Sequence, residues 1–349
     1  MSTEASAARP TAIRSSSPGA PPSPGAPPAP GAPPAPDALR LGVDMGGTKI
    51  EAVVARLGHD EPQILARLRR PTEQSLGYEH ILQSVAEIIS AVTAEAGLGA
   101  PPPIGVGMPG SITRARRTVK NSNTRCLNGR PFREDLIARV GQPIEFANDA
   151  NCFALAEARY GAARGHSLVF GVILGTGVGG GIVLGGDPAA GVHPRVWDGL
   201  QGIAGEWGHV ALEPRTGPPC YCGRAGCIET FLSGPALEAE YARRTGRPRP
   251  LPEIAAAAAA NPPDDAACAV IAAACALFGR AIATVINILD PEVIVLGGGV
   301  SHLPALYTDG VAAAARWVFS DELVTPIRQH QIGDSAGVLG AALLPGAAC

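Results

Sequence analysis

A histidine and three cysteines in the second half of the chain have the residue types and spacing of a metal site. His209, Cys220, Cys222 and Cys227 form the pattern H-x10-C-x-C-x4-C, and tetrahedral zinc takes four nitrogen or sulfur ligands. The set leaves no coordination position open, so we predict a structural Zn²⁺ rather than a catalytic one. A disulfide between Cys222 and Cys227 is the alternative, which a reducing cytosol would disfavour.

Three glycine-rich turns follow predicted strands and could bind phosphate. They are DMGGTK at 44–49, GTG at 175–177 and GGG at 297–299. Without a Cβ, backbone N–H groups can close around phosphate oxygens. Gly175, Gly177 and Gly180 match G-x-G-x-x-G, but that fingerprint needs a helix next, and the sequence continues as a strand. The dinucleotide-binding class is therefore excluded, and the lack of a G-x-x-x-x-G-K-[ST] motif excludes the P-loop class. An ordinary hairpin turn is the alternative at each site alone.

Two aspartates lie at predicted strand ends, where a carboxylate could bind a metal ion or accept a proton. Asp44 ends the first strand, directly before a glycine turn, where a carboxylate could hold Mg²⁺ beside a γ-phosphate. Its alternative is a turn-forming aspartate. Asp149 follows a short strand and starts a helix, which suits either a general base or a helix N-cap.

The elements that must position these residues follow the same order in each half. The first half predicts three strands from Leu39, a helix over 78–96, a strand over 104–108, and a strand before the helix that starts near 149. The second half predicts a glycine-interrupted strand pair, alanine-rich helices over 251–289, the strand PEVIVLGGG, a helix near 303–317 and a final helix after Gly333. This alternation predicts an α/β protein.

Length, composition and net charge disfavour several classes of function. A length of 349 residues favours about two domains, and a net charge of −3 with 17% charged residues disfavours nucleic-acid and membrane-surface partners. Residues 1–36 carry a PGAPPx repeat without apolar periodicity, which predicts a disordered tail that cannot form a helix-turn-helix. The chain shows neither a signal peptide nor a long uninterrupted apolar run, so we expect a cytoplasmic protein without a membrane span.

Seven segments in order resemble the ROK family of bacterial sugar kinases, within the sugar kinase, actin and Hsp70 superfamily. They are LGVDMGGTKIE, VGMPGS, FANDANCFALAEA, GVILGTGVGGGI, GEWGHV, CYCGRAGCIETFLSG and VIVLGGGVS. The resemblance runs from about Leu41 to Leu344. It implies a two-domain, actin-like ATPase fold with an interdomain cleft. The tail would cover 1–36, the N-terminal lobe 37–147 and the C-terminal lobe 148–349, with the final helix packing back on the N-terminal lobe.

The resemblance also implies roles for individual residues. Asp149 would be the general base, Mg²⁺ would lie at Asp44, and zinc would fix the loop that presents Glu206 and Glu229 to the sugar. The implied ATP-binding residues are Asp44, Gly46, Gly47, Thr48, Lys49, Gly175, Thr176, Gly177, Gly297, Gly298 and Gly299. The implied sugar-binding residues are Asn123, Asn148, Asp149, Glu206, His209 and Glu229. Asn121 and Asn128, in the same loop as Asn123, could instead be turn formers.

The implied reaction is ATP-dependent phosphorylation of a hexose at its 6-hydroxyl. Fructose is favoured because KNSNTRCLNGRPF and PCYCGRAGCIETF look most like bacterial fructokinases. N-acetylglucosamine kinase and glucokinase of the same family are the alternatives. A sugar-sensing ROK transcriptional regulator is the rival from another class, disfavoured because no DNA-binding head is predicted and DMGGTK is intact. A homodimer is usual in such families.

Overall fold

Two five-stranded sheets carry the fold in a computed structural model that describes residues 38–58, 60–113, 115–186 and 193–345. The predicted tail, 1–36, lies outside the described residues. The first sheet contains β1 (Ala38–Met45), β2 (Lys49–Leu57), β3 (Pro62–Pro71), β4 (Ile104–Met108) and β7 (Ile144–Asn148). The second contains β8 (Leu168–Leu174), β9 (Val178–Leu184), β10 (Arg195–Val196), β11 (Val293–Gly297) and β12 (Ile327–Gln329). A separate hairpin pairs β5 (Ser111–Ile112) with β6 (Val119–Lys120).

The two sheets have the same topology. Their orders are β3-β2-β1-β4-β7 and β10-β9-β8-β11-β12. In each, the first three strands form an antiparallel meander and the last two add in parallel. The repeated order of elements in the sequence is therefore a repeated fold, and the carboxyl ends of β1, β4 and β7 meet at one edge, as the parallel pairing requires.

Nine α-helices cover the sheets in the described part of the chain. They are α1 (Tyr78–Glu95), α2 (Phe132–Val140), α3 (Asp149–Tyr160), α4 (Glu229–Leu232), α5 (Gly234–Thr245), α6 (Leu251–Ala258), α7 (Asp265–Leu289), α8 (Asp309–Ala315) and α9 (Ala336–Leu343). Helix α1 buries Ile81, Val85, Ile88 and Ile89 against the first sheet. This is the face that its helical spacing predicts.

Helix α7 is the one helix among the described residues that is long and apolar enough to cross a membrane. More than half of its most apolar stretch, 56%, is buried inside the fold. Val270, Phe278 and Ile282 lie in the hydrophobic core of the second lobe. The helix therefore has the surroundings of a core helix, and the expected lack of a membrane span stays a prediction.

Helices α3 and α9 lie between the two sheets, and each packs on the sheet of the other half. Helix α3 leaves the last strand of the first sheet and packs on β8 and β9 of the second, whereas α9 follows the last strand of the second sheet and packs on β1 and β4 of the first. The two helices touch where Gly340 meets the Cys152 backbone. A boundary at 147/148, which groups α3 with the sheet it covers, is the division that we propose.

The approach of α9 to the first sheet needs a glycine at position 105. A Cβ built there would overlap the Ala341 carbonyl oxygen of α9, and overpacking of this kind costs about 1–3 kcal/mol or more. We expect Gly105→Ala to lower the midpoint of chemical denaturation. Gly99→Ala is the matched control, because nothing lies within 4 Å of its Cβ position. Equal midpoints for the two variants would contradict the tight packing of α9.

Candidate functional site

The first glycine turn is tied to the end of β3. Gly46 N–H donates to the Lys49 carbonyl at 2.9 Å, and Thr72 N–H donates to the Thr48 carbonyl at 3.0 Å. The buried Thr72 hydroxyl donates to the Gly46 carbonyl at 2.7 Å. These bonds hold the turn at the carboxyl end of β1, directly beyond Asp44.

A cavity of ≈ 350 Å³ joins this turn to the third glycine turn across the two lobes. Of the predicted nucleotide-binding residues, Asp44, Gly46, Gly298 and Gly299 line it. Four side chains that sequence reasoning missed also line it: Phe153, His302, His330 and Asp334. Its glycine-rich walls suit a nucleotide, and we call it the nucleotide cavity.

Four predicted nucleotide-binding residues line neither this cavity nor a second one, which holds the predicted sugar-binding residues and which we call the sugar cavity. Gly297 is buried, with Phe153 against its Cβ position. Lys49 Nζ lies 3.4 Å from the Glu51 carboxylate. Gly47 and Thr48 lie within the turn, where Gln74 donates a hydrogen bond to the Gly47 carbonyl. For these four, a contact with ATP stays a prediction.

A second cavity of ≈ 210 Å³ brings all six predicted sugar-binding residues together. They are Asn123, Asn148, Asp149, Glu206, His209 and Glu229. The second glycine turn, 175–177, lines the same cavity. Sequence reasoning missed Tyr221 and left Asn121 as a possible turn former. Asn121 has a positive φ of 55° and also lines the cavity.

Asp149 is shared by both cavities. It begins α3 directly after β7, and Asn148 caps the helix by accepting a hydrogen bond from Ala150 N–H at 2.8 Å. Burial raises the pKa of Asp149 to about 6; the bond from Ala150 N–H lowers it and the Glu206 carboxylate raises it. With the N-cap supplied by Asn148, the Asp149 carboxylate lies where a sugar and a nucleotide would meet.

Asp44 carries the chemistry expected of a Mg²⁺ ligand. Its pKa is raised to about 7, mainly by burial and in addition by the carboxylates of Asp149 and Glu51, while Lys49 acts in the opposite direction. A divalent cation would relieve this concentration of negative charge. The carboxylate donor and the cavity beside it therefore fit Mg²⁺, with Asp44 as the residue that would hold it.

Two glutamates reach the sugar cavity from the loop around the cysteines. The Glu229 carboxylate, at the start of α4, accepts a hydrogen bond from Val178 N–H at 2.9 Å, next to the second glycine turn. Burial raises the pKa of Glu206, and the nearby His209 acts in the opposite direction. Both glutamates thus line the cavity, and the bond from Val178 N–H holds the Glu229 carboxylate in place.

The four predicted metal ligands converge. Their ligand atoms all lie within 4.8 Å of one another. Cys222 Sγ is 3.6 Å from Cys227 Sγ, and Cys220 Sγ is 3.5 Å from His209 Nδ1. A tetrahedral zinc with Zn–S bonds of about 2.3 Å needs sulfur atoms roughly 3.8 Å apart. The residues therefore fit Zn²⁺, and all three cysteines are free thiols in the structure.

The other nitrogen of His209 faces the sugar cavity. His209 Nε2 lies 3.0 Å from the Tyr221 hydroxyl, and the two rings meet edge to face at 5.1 Å. Because Nδ1 belongs to the thiol cluster, one imidazole links the cluster to the cavity. A metal at the cluster would fix the orientation of that ring.

Comparison with known proteins gives consistent results. The sequence profile of the ROK family matches residues 40–347. An N-acetyl-D-glucosamine kinase from Escherichia coli O157:H7 is 34% identical over 312 residues, covering 87% of this chain and 98% of that protein.

Solved structures agree with the sequence comparison. A ROK hexokinase from Thermus thermophilus has a TM-score of 0.74 and 33% identity, covering 88% of this chain and 97% of its own. A ROK family glucokinase from Streptomyces griseus, solved with glucose and AMPPNP, has a TM-score of 0.67 and 30% identity, covering 87% and 98%.

Proposed function

Because the chain belongs to the ROK family of sugar kinases, we propose that it transfers the γ-phosphoryl group of ATP to the 6-hydroxyl of a hexose. The family and the two-domain, actin-like α/β fold predicted from the sequence are confirmed. One observation supports the proposal above the others: Asp149 lines both the glycine-walled cavity and the cavity rich in amides and carboxylates.

Each cavity has a part in the proposed reaction. Asn123, Glu206 and Glu229 form hydrogen bonds with sugar hydroxyls and hold the 6-hydroxyl beside Asp149. As the oxygen attacks the γ-phosphorus, its proton passes to the Asp149 carboxylate and the bond to the ADP oxygen breaks. Positioning supplies most of the rate acceleration in such transfers. When bound, Mg²⁺ neutralises charge on the phosphate oxygens beside Asp44.

The identity of the sugar is the finer part of the proposal. The fructose preference expected from two motifs has no support from the comparisons, whose curated relatives are N-acetylglucosamine kinases and whose structures include a glucokinase. We therefore place N-acetylglucosamine first and glucose second. The cavity supplies three carboxylates and three asparagines, and such groups discriminate against sugars that leave one of them unpaired.

A coupled ADP-release assay tests the function. It compares N-acetylglucosamine, glucose, fructose, mannose and N-acetylmannosamine, with phosphorus NMR to locate the ester. We expect turnover with at least one sugar and a 6-phosphate product. No turnover on all five would overturn the kinase proposal, and the highest kcat/KM on fructose would overturn the ranking of sugars.

The rate should depend on pH through Asp149. Its pKa of about 6 means that the basic form dominates above pH 6 and is lost below it. We expect kcat/KM to be level above about pH 7 and to fall roughly tenfold per pH unit well below pH 6, because the protonated carboxyl cannot accept the sugar proton. The residual rate of Asp149→Asn should lack this titration. A wild-type profile that stays level down to pH 4.5 would contradict the assignment.

Three further proposals accompany the activity. We propose that Zn²⁺ binds at His209, Cys220, Cys222 and Cys227, that the protein is cytoplasmic, and that it forms a homodimer. The sugar-sensing regulator stays the alternative from another class, and the ADP-release assay separates it from a kinase.

A further inference from the structure

A third cavity, of ≈ 550 Å³, lies on the other side of the wall of the sugar cavity. The two cavities share Gly110 and Asn148. Asn148 Nδ2 donates a hydrogen bond to the Gly110 carbonyl at 3.1 Å, so these residues form a partition between them. Of the predicted sugar-binding residues only Asn148 lines this cavity, and none of the predicted nucleotide-binding residues does. Its volume is in the range typical of small-molecule sites.

Both lobes contribute to the third cavity. Its walls come from the β5–β6 hairpin, α2, β7, the start of α3 and the segment after β10 in the second lobe. Its polar lining includes Ser111, Arg117, Arg133, Glu134, Glu145 and Asn151. Phe146 adds an aromatic surface, with the Arg133 guanidinium 5.9 Å from its ring centre.

Several polar atoms of this lining have no partner. Across the described ranges, Ser111 Oγ, Arg133 Nε, Glu134 Oε2 and Asn151 Oδ1 are buried without a hydrogen bond. Asn151 is only 4% exposed and Ser111 9%. Buried polar groups are nearly always hydrogen-bonded, and each exception needs an explanation. Four exceptions around one cavity are explained by a ligand that supplies the missing bonds.

Two charged side chains of this lining also lack partners. Arg117 Nε pairs with Glu134 Oε1 at 2.6 Å. In the part of the chain that the structure describes, Arg133 and Glu145 have no ion-pair partner. Among the described lining residues, the charges of Arg117 and Arg133 are matched by those of Glu134 and Glu145, so these four leave no surplus positive charge for a phosphate or another anion.

The unpaired atoms are mixed in kind, and this identifies the ligand class. Asn151 Oδ1 and Glu134 Oε2 need a donor, whereas Arg133 Nε needs an acceptor. A hydroxyl group is both, and a ring carbon face can pack on Phe146. We propose that the third cavity is a second carbohydrate site, which binds a neutral mono- or disaccharide beside the active site and separately from it.

Binding stoichiometry tests this without turnover. The full chain is dialysed without nucleotide against radiolabelled glucose, N-acetylglucosamine, fructose or sucrose. We expect two equivalents per chain with at least one sugar. Arg133→Gln and Glu145→Gln should each weaken one equivalent roughly tenfold or more, as expected for the loss of a charge-assisted hydrogen bond. Glu229→Gln should weaken the other equivalent, which separates this site from the sugar cavity of the proposed function.

Arg139→Gln is the matched control. Arg139 lies on the same helix as Arg133, at the exposed surface, so the variant should keep two equivalents. At most one equivalent with all four sugars would overturn the proposal, as would two equivalents that neither Arg133→Gln nor Glu145→Gln affects.

Discussion

Replacing Asp149 by asparagine should lower kcat by about 10²–10⁴-fold, because the variant loses the group that takes the proton of the attacking hydroxyl. The KM for the sugar should change little. Asparagine has the same shape, and its oxygen can still accept the bond from Ala150 N–H that the carboxylate accepts at 2.8 Å. Steady-state kinetics with the best sugar of the panel measures both quantities.

The control for this substitution is Asp321→Asn. Asp321 is exposed, so the same chemical change there should leave kcat within twofold of the wild-type value, roughly the scatter of a neutral surface change. Equal kcat for Asp149→Asn and the wild-type protein would show that Asp149 is not the base. A thermal melt of each variant separates lost chemistry from lost folding.

Removing metal from the thiol cluster should abolish measurable activity at ordinary sugar concentrations by weakening sugar binding. His209 belongs to both the cluster and the sugar cavity, and Glu229 follows Cys227 by two residues. Loss of groups that orient a site typically costs 10–100-fold. We expect the Kd for the sugar to rise by at least that factor, while nucleotide binding changes much less because no cluster residue lines the nucleotide cavity.

Calorimetry on protein stripped by a chelator, with metal content measured, checks this prediction. Cys222→Ser should reproduce the effect, and Cys268→Ser, outside the cluster, should not. Metal-free protein that keeps full affinity for its sugar would contradict the role that we give the cluster.

Much of the fold follows from local sequence patterns. Strong periodicity marks α1, and glycine turns mark the ends of β1 and β8. The thiol cluster and the six sugar-cavity residues follow from residue type and spacing, together with the family resemblance. These features share one property: each is encoded within a few residues of the chain, where short-range geometry decides the structure.

The parts that could not be predicted depend on contacts between distant segments. His302 and His330 reach the nucleotide cavity from separate segments of the second lobe, and Phe153 reaches it from α3. The same packing buries Gly297 beside Phe153, although the sequence places it in a glycine turn like its neighbours. The third cavity needs both lobes and the β5–β6 hairpin, and no motif announces the unpaired atoms of Asn151 or Arg133.

The exchange of α3 and α9 bears on how such a chain could have arisen. If the covalent link after α3 were cut, each half would present a sheet with the same strand order and a helix that covers the other half's sheet. That is the arrangement of a domain-swapped pair. Gene duplication and fusion of a swapped ancestor would join two such copies, and Asp149, the residue that we propose as the base, lies at the start of one exchanged helix.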